Sequence, residues 1–154
     1  MNNTIHSSDD FEGMRKAGNL AASTLDLLVE KVKPGVSTEE LDNIAFDYIV
    51  RHGGLIAPLF YKGYPKSVCT SINHVICHGI PSSRILENGD IVNIDVTVIV
   101  DGWHGDTSRM FPVGKINAKA QKLIDCTFHA MHEGINAAQP DETLGDIGNA
   151  IQTY

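Results

Sequence analysis

Hydrophobic positions recur along this chain with two different periods, and the change of period marks where helices give way to strands. From Asp9 to Val32 the apolar residues Phe11, Met14, Leu20, Leu27 and Leu28 fall at helical spacing, with Ser8 placed as a cap and Pro34-Gly35 as the stop. This predicts a long amphipathic helix. Ser37 to Glu40 then reads as a capping box, followed by Leu41, Ile44, Ala45, Tyr48 and Ile49 and closed by Gly53-Gly54, which predicts a second helix. A third is predicted from the Asn117 cap through Leu123, Ile124, Phe128, Met131 and Ile135 to Pro140, and a fourth from Thr143 to Tyr154.

Between these pairs the period falls to two. Ile91 to Pro112 consists of two β-rich runs around Asp101-Gly102, the pairing of residues that most readily forms a two-residue type I′ hairpin turn. That turn sets Val100 against Trp103, and the remaining pairs follow: Ile99 with His104, Thr97 with Asp106, Asp95 with Ser108, Asn93 with Met110. Parity then sorts the first strand into one wholly apolar face, Val92 to Val100, and another carrying Asn93, Asp95 and Thr97. Asp95 and Asp106 become diagonal neighbours on the second face, with backbones roughly 7–8 Å apart. Two like charges so placed repel unless a cation lies between them, so the pattern points to a site for one or two divalent metals; the plain alternative is a solvated acidic face.

The connecting segments are less regular. Leu55 to Pro65 is rich in Gly, Pro and aromatic residues and predicts a short strand followed by an irregular loop, and Val68 to Ile72 predicts another short strand. His78 falls in a Gly/Pro turn, His78 to Pro81, in which Gly79 is expected to take the unusual backbone angles. Taken alone, a histidine in such a loop is an ordinary surface residue. His129 and His132, three apart on the third helix, could pair as ligands, but a solvated face accounts for them far better.

Composition narrows the function classes. The chain has 154 residues, 42% hydrophobic, with 12 Lys plus Arg against 19 Asp plus Glu, a net charge of −7. It is long enough to bury a core, and its acidity with no basic run argues against nucleic acid and anionic membranes as partners. Three cysteines, Cys69, Cys77 and Cys126, lack metal-finger spacing and suit reduced thiols in a cytoplasmic protein. Neither a leader at the N-terminus nor a membrane span is expected.

One internal correspondence stands out. Pro34, Ser37, Leu41, Asn43 and Tyr48 match Pro140, Thr143, Ile147, Asn149 and Tyr154 at a constant offset (140 − 34 = 106), each set following a long helix. We therefore expect a single catalytic-type domain over 1–154 built as two pseudo-repeats, about 9–116 and 117–154. The second copy is expected to lack its strands, which makes the chain read as truncated.

Gly63 to Asn73 (GYPKSVCTSIN), Cys77 to Pro81 (CHGIP), Asn88 to Thr97 (NGDIVNIDVT) and Gly102 to Phe111 (GWHGDTSRMF) together closely resemble the type I methionine aminopeptidases, over Phe11 to Tyr154. The resemblance implies an α+β pita-bread (creatinase/aminopeptidase) fold: antiparallel strands with packed helices in two pseudo-symmetric halves. It implies removal of the initiator methionine from nascent peptides by metal-assisted hydrolysis, with two divalent ions from among Co, Mn, Fe, Ni and Zn. Asp95 and Asp106 would be two of five protein ligands, the others lying in the half that is lacking, so this chain alone is expected to be inactive. His78 would contact substrate near the scissile amide, and Tyr61, Tyr64 and Cys69 would line the methionine pocket, where ordinary packing is the competing account. Lys62 and His74 depart from the usual bacterial His and Glu. A cytoplasmic monomer associated with the ribosome is implied, without nucleic acid or membrane binding.

Three alternatives stand beside this. An Xaa-Pro peptidase would share the metal logic but not the Gly-Tyr-Pro-Lys-Ser and Cys-His-Gly-Ile-Pro runs. A non-catalytic pita-bread binding module is disfavoured by Asp95, Asp106 and His78. A Cys77–His78 thiol centre is disfavoured because adjacent residues point apart.

Overall fold

In the computed structural model residues 5–154 are described; residues 1–4, part of the N-terminal stretch read for a leader, lie outside it. The chain divides into two units, Met1–Lys115 and Ile116–Tyr154. The first contains α1 (Ser8–Leu28), α2 (Thr38–Arg51), β1 (Leu55–Ile56), a single 3-10 turn at Tyr61–Gly63, β2 (Cys69–Ile72), β3 (Ile91–Val100) and β4 (Trp103–Pro112). The second contains α3 (Ala118–Ala137) and α4 (Leu144–Thr153).

The hairpin is the frame of the first unit. Asp101 (φ 51°) and Gly102 (φ 87°) both occupy the left-handed region that a type I′ turn demands. The strands pair from Val100↔Trp103 to Ile91↔Pro112, with Thr97↔Asp106 and Asp95↔Ser108 in the expected register. On its other side β3 pairs with two short strands in succession, β1 (Leu55↔Ile99) and β2 (Cys69↔Asp95, Ser71↔Asn93), all antiparallel. Val92, Ile94, Val96, Val98 and Val100 are buried and meet Ala17, Ala21, Leu25 and Leu28 of α1 and Leu41, Ala45 and Ile49 of α2 in one core.

Helix α1 differs from expectation in three respects, each with a local cause. Its cap is Ser7 rather than Ser8: the Ser7 side chain accepts from the Asp10 amide and the Asp10 carboxylate returns to the Ser7 amide, a closed capping box. It ends at Leu28 rather than Val32, because the Leu28 carbonyl accepts from both Lys31 and Val32 and the tightened turn lays Val32 on the core. Its buried face is Ala17, Ala21, Thr24, Leu25 and Leu28, whereas Phe11 is exposed. The small face reflects close approach: a Cβ on Gly105 of β4 would collide with the Ala17 backbone, and a Cβ on Gly13 would collide with the Trp103 ring.

Helix α2 starts from Ser37, whose side chain accepts from the Glu40 amide at 3.1 Å. Asp42 on its buried face accepts from the amides of Ser67 (2.7 Å) and Val68 (3.1 Å), tying the start of β2 to α2. Among the described residues those amides bond no other acceptor, so Asp42→Ala is expected to cost about 2 kcal/mol in urea denaturation of this chain. A loss under about 0.5 kcal/mol would show that solvent replaces the carboxylate.

In the second unit α3 is capped by Asn117, which accepts from the Ala120 amide at 2.9 Å. Helix α4 is capped by Thr143 in a full capping box with Asp146. The two pack closely at Gly134, where a Cβ would meet Ile151. No helix among the described residues is long and apolar enough to cross a membrane.

Candidate metal-and-peptide cleft

The face of the sheet opposite the valines carries the polar chemistry. Because Cys69 pairs with Asp95 and Asp95 with Ser108, one row across β2, β3 and β4 reads Cys69, Asp95, Ser108. The next row along sets Thr97 against Asp106, and the next Ile99 against His104. Above them lies a cleft of about 800 Å³, whose walls include Asp95, Asp106, His78, Tyr61, Tyr64 and Cys69. All six residues singled out from the sequence therefore converge on one cavity. Lys62, Thr97 and His104 line it too; the last two were legible as same-face neighbours of the aspartates, though no role was assigned to them. His74 and Cys77 do not line it, which leaves the Cys77–His78 pair without a shared cavity. His129 and His132 lie in the second unit, where Phe128 packs edge-on against the His132 ring at 4.6 Å.

Asp95 is half-buried and within hydrogen-bond reach of Asp106. Burial, then the charge of Asp106, holds the Asp95 carboxyl above the usual carboxylate range, against a smaller opposing pull from His78. A carboxyl raised in the folded state is protonated there while still ionised in the unfolded chain. The stability it contributes is thus present at low pH and lost as pH rises through its folded-state value. Two carboxylates held this close are a liability that a cation would relieve. Asp95→Asn is accordingly expected to raise the melting temperature of the metal-free chain at about pH 7, and much less at about pH 3. Manganese should then stabilise the parent and not the variant; no difference between them in a thermal melt would separate the pair from cation binding.

The donor set fits such a cation: two hard oxygen donors brought together on rigid strands, with Lys62 turned aside over the Tyr61 ring at 5.4 Å. Among the described residues no third His, Cys, Asp or Glu gathers with them.

Beside the carboxylates the cleft is neutral. Burial pushes the Cys69 thiol up, with Asp95 and Asp106 adding to the effect and a hydrogen bond with Tyr64 opposing it. Burial, then hydrogen bonding with Cys69, pushes the Tyr64 phenol up as well. Neither group is a nucleophile in this state; together they form an uncharged wall of ring and sulfur.

The turn carrying His78 departs from expectation. Gly79 is not at positive φ, and it is His78 that sits in the left-handed region, at φ 56°. The need for glycine at position 79 is spatial: a Cβ there would collide with the Thr70 carbonyl. A histidine held left-handed costs on the order of 1 kcal/mol, a cost found mostly at functional sites.

Residues 12–154 match the sequence profile of metallopeptidase family M24. The chain is 57% identical over 150 residues to the methionine aminopeptidase of Rickettsia prowazekii, covering 97% of this chain and 58% of that protein. It is 51% identical over 153 residues to the methionine aminopeptidase of Escherichia coli K12, covering 98% and 58%. The chain thus spans about 58% of the length of these relatives. Among solved structures, the Rickettsia prowazekii methionine aminopeptidase superposes with a TM-score of 0.97 at 56% identity, over 98% of this chain and 61% of that one. A prolidase from Pyrococcus furiosus superposes at 0.82 with 20% identity, over 97% and 43%, a likeness of fold alone. The α+β pita-bread fold implied by the sequence motifs is the fold these structures share with the chain.

Proposed function

Since the chain belongs to metallopeptidase family M24, we propose that it supplies the substrate pocket and one carboxylate wall of a methionine aminopeptidase, which removes the initiator methionine from newly made proteins. The observation that carries this is the convergence of Asp95, Asp106, His78, Tyr61, Tyr64 and Cys69 on one cleft. Two divalent ions from among Mn, Fe, Co, Ni and Zn, held on this side by Asp95 and Asp106, would supply water made nucleophilic near neutral pH and a polarised scissile carbonyl. The neutral wall of Tyr64 and Cys69, with Tyr61 at the rim, receives an uncharged thioether and offers no charge to a lysine or aspartate in its place. His78 holds the substrate amide by a hydrogen bond and steadies the charge that develops as the bond breaks.

The domain reading follows from the same proposal. The α3–α4 pair is a second copy of α1–α2, a view supported by Ser37 and Thr143, which stand at the offset of the repeated prolines and each accept from the amide three residues on. In this reading the protein works in the cytosol, as a monomer, on chains emerging from the ribosome. Neither nucleic acid nor membrane is part of the proposal, in keeping with the acidic balance of the sequence. An Xaa-Pro specificity has less support, because the prolidase likeness is one of fold, whereas identity to methionine aminopeptidases exceeds half.

Two measurements test the proposal. With only two carboxylates gathered and no third ligand beside them among the described residues, residues 1–154 alone should bind manganese or cobalt weaker than about 1 µM in calorimetry and leave Met-Ala-Ser intact. A chimera in which they replace the matching segment of the Escherichia coli relative should release methionine from that peptide. Sub-micromolar binding with hydrolysis by the chain alone would overturn the incomplete metal site, and a folded, metal-loaded chimera without hydrolysis would overturn the function.

A further inference from the structure

The residue that follows the left-handed His78 is tethered through its own backbone. Both backbone groups of Gly79 are engaged, and every partner comes from β2 or the loop leading into it. Its amide donates to Ser71 Oγ at 3.1 Å. Its carbonyl accepts from the Thr70 amide at 2.7 Å and faces the Tyr64 hydroxyl at 3.1 Å. Glycine at 79 lets the chain press against the Thr70 carbonyl, so the turn rests on β2 itself.

The Thr70 amide would be present whatever the sequence. Ser71 is different. It is buried, shares the cleft-side face of β2 with Cys69 by parity, and pairs with Asn93, two residues from Asp95 along β3. Unlike Cys69 it does not line the cleft. An alanine there would leave the Gly79 amide without its acceptor and release one side of the clamp. The strand that bears Ser71 is bonded to the strand that bears Asp95, so the same hydroxyl references the imidazole-bearing turn to the carboxylate pair.

Building on the role proposed above for His78, we infer that Ser71 is a positioning residue for that histidine. By accepting from Gly79, its hydroxyl fixes the His78 backbone and so sets where the imidazole meets substrate.

Amide exchange in the 154-residue chain reads the clamp directly. Ser71→Ala should speed exchange at Gly79 at least about tenfold while the Ile94 and Val96 amides of β3 stay within twofold, and Ser71→Thr should restore protection. In the active chimera, Ser71→Ala should lower kcat roughly tenfold with KM changed less than twofold, because the error lies in aim rather than in pocket affinity. On a His78→Ala background the same substitution should alter kcat less than twofold, since a residue acting through His78 has nothing left to position. Equal losses in both backgrounds, or unchanged Gly79 exchange, would overturn the role of Ser71. An unchanged kcat in His78→Ala alone would overturn the role of His78 and this inference with it, while Met-Ala-Ser hydrolysis by the parent chimera would leave the aminopeptidase assignment standing. If Ser71→Ala does not fold, Ser71→Cys, a poorer acceptor of similar size, enters the same cycle with the same two outcomes.

Discussion

Asp106→Ala in the active chimera is expected to reduce turnover by more than about a thousandfold, roughly 4 kcal/mol of transition-state stabilisation, without loss of fold. The two halves of that expectation have separate physical origins. Asp106 is exposed on the cleft face opposite Thr97, its side chain outside the valine core, and its main effect on its surroundings is to raise the energy of the Asp95 carboxylate. Removing it takes away a repulsion, so the melting temperature of the metal-free protein should hold or rise. Removing it also leaves a single carboxylate where two were gathered, too few on this wall for the proposed metal pair. Activity within tenfold of the parent would mean that the acidic face is structural, and a fall in melting temperature of more than a few degrees would mean that the lost activity reports unfolding.

Gly105→Ala is expected to show the opposite pattern, a loss of stability with no side chain of the cleft removed. The added methyl group would land on the backbone of Ala17 and Gly18, not on a side chain that could swing away, so α1 must lift from β4. Overpacking of this kind costs about 3 kcal/mol, which for a chain of this length lowers the melting temperature by about 10 °C. Lifting α1 would also disturb Ala21, Leu25 and Leu28, all of them buried against the valines of β3. A thermal melt by circular dichroism decides the matter: a drop of less than 3 °C would show that the helix can shift without cost, and the close approach would then be incidental.

These two residues also show what could be read from the sequence. Asp106 was legible because a hairpin is local: one Asp-Gly turn and a period of two suffice to place it beside Asp95. The helix starts at Ser37, Asn117 and Thr143 were legible for the same reason, a cap and its partner being three residues apart. The face of α1 was legible only at its C-terminal end, where Leu28 is buried. Hydrophobic size also points to Phe11, which is exposed, and misses Ala17, which is buried because it meets the bare backbone at Gly105, more than 80 residues away. In the candidate site, the placement of Asp95 and Asp106 was legible in the hairpin register, whereas His78 stood out only through the family resemblance and its backbone conformation was expected of its neighbour. A Gly beside a His suggests that the glycine bends; here the glycine is wanted for its small size and the histidine takes the angle. Ser71 and Asp42, both buried polar residues that hold loops in place, carry no local signature, since their partners come from distant segments.

The hairpin register has a consequence for how this segment can change by descent. The buried valines of β3 and the carboxylate at Asp95 alternate along one strand, and the inward Gly105 and outward Asp106 of β4 are counted from the same turn. A residue inserted between Asp95 and Val100, or between Trp103 and Asp106, would exchange inside for outside along everything beyond it, sinking an aspartate into the core or expelling the valines, unless a bulge absorbed it. Point substitutions on the exposed turn carry no such penalty. Among descendants of this sequence, the stretch from Asp95 to Asp106 should therefore vary in spelling at its tip while keeping a fixed length, behaving like a reading frame written in side-chain parity.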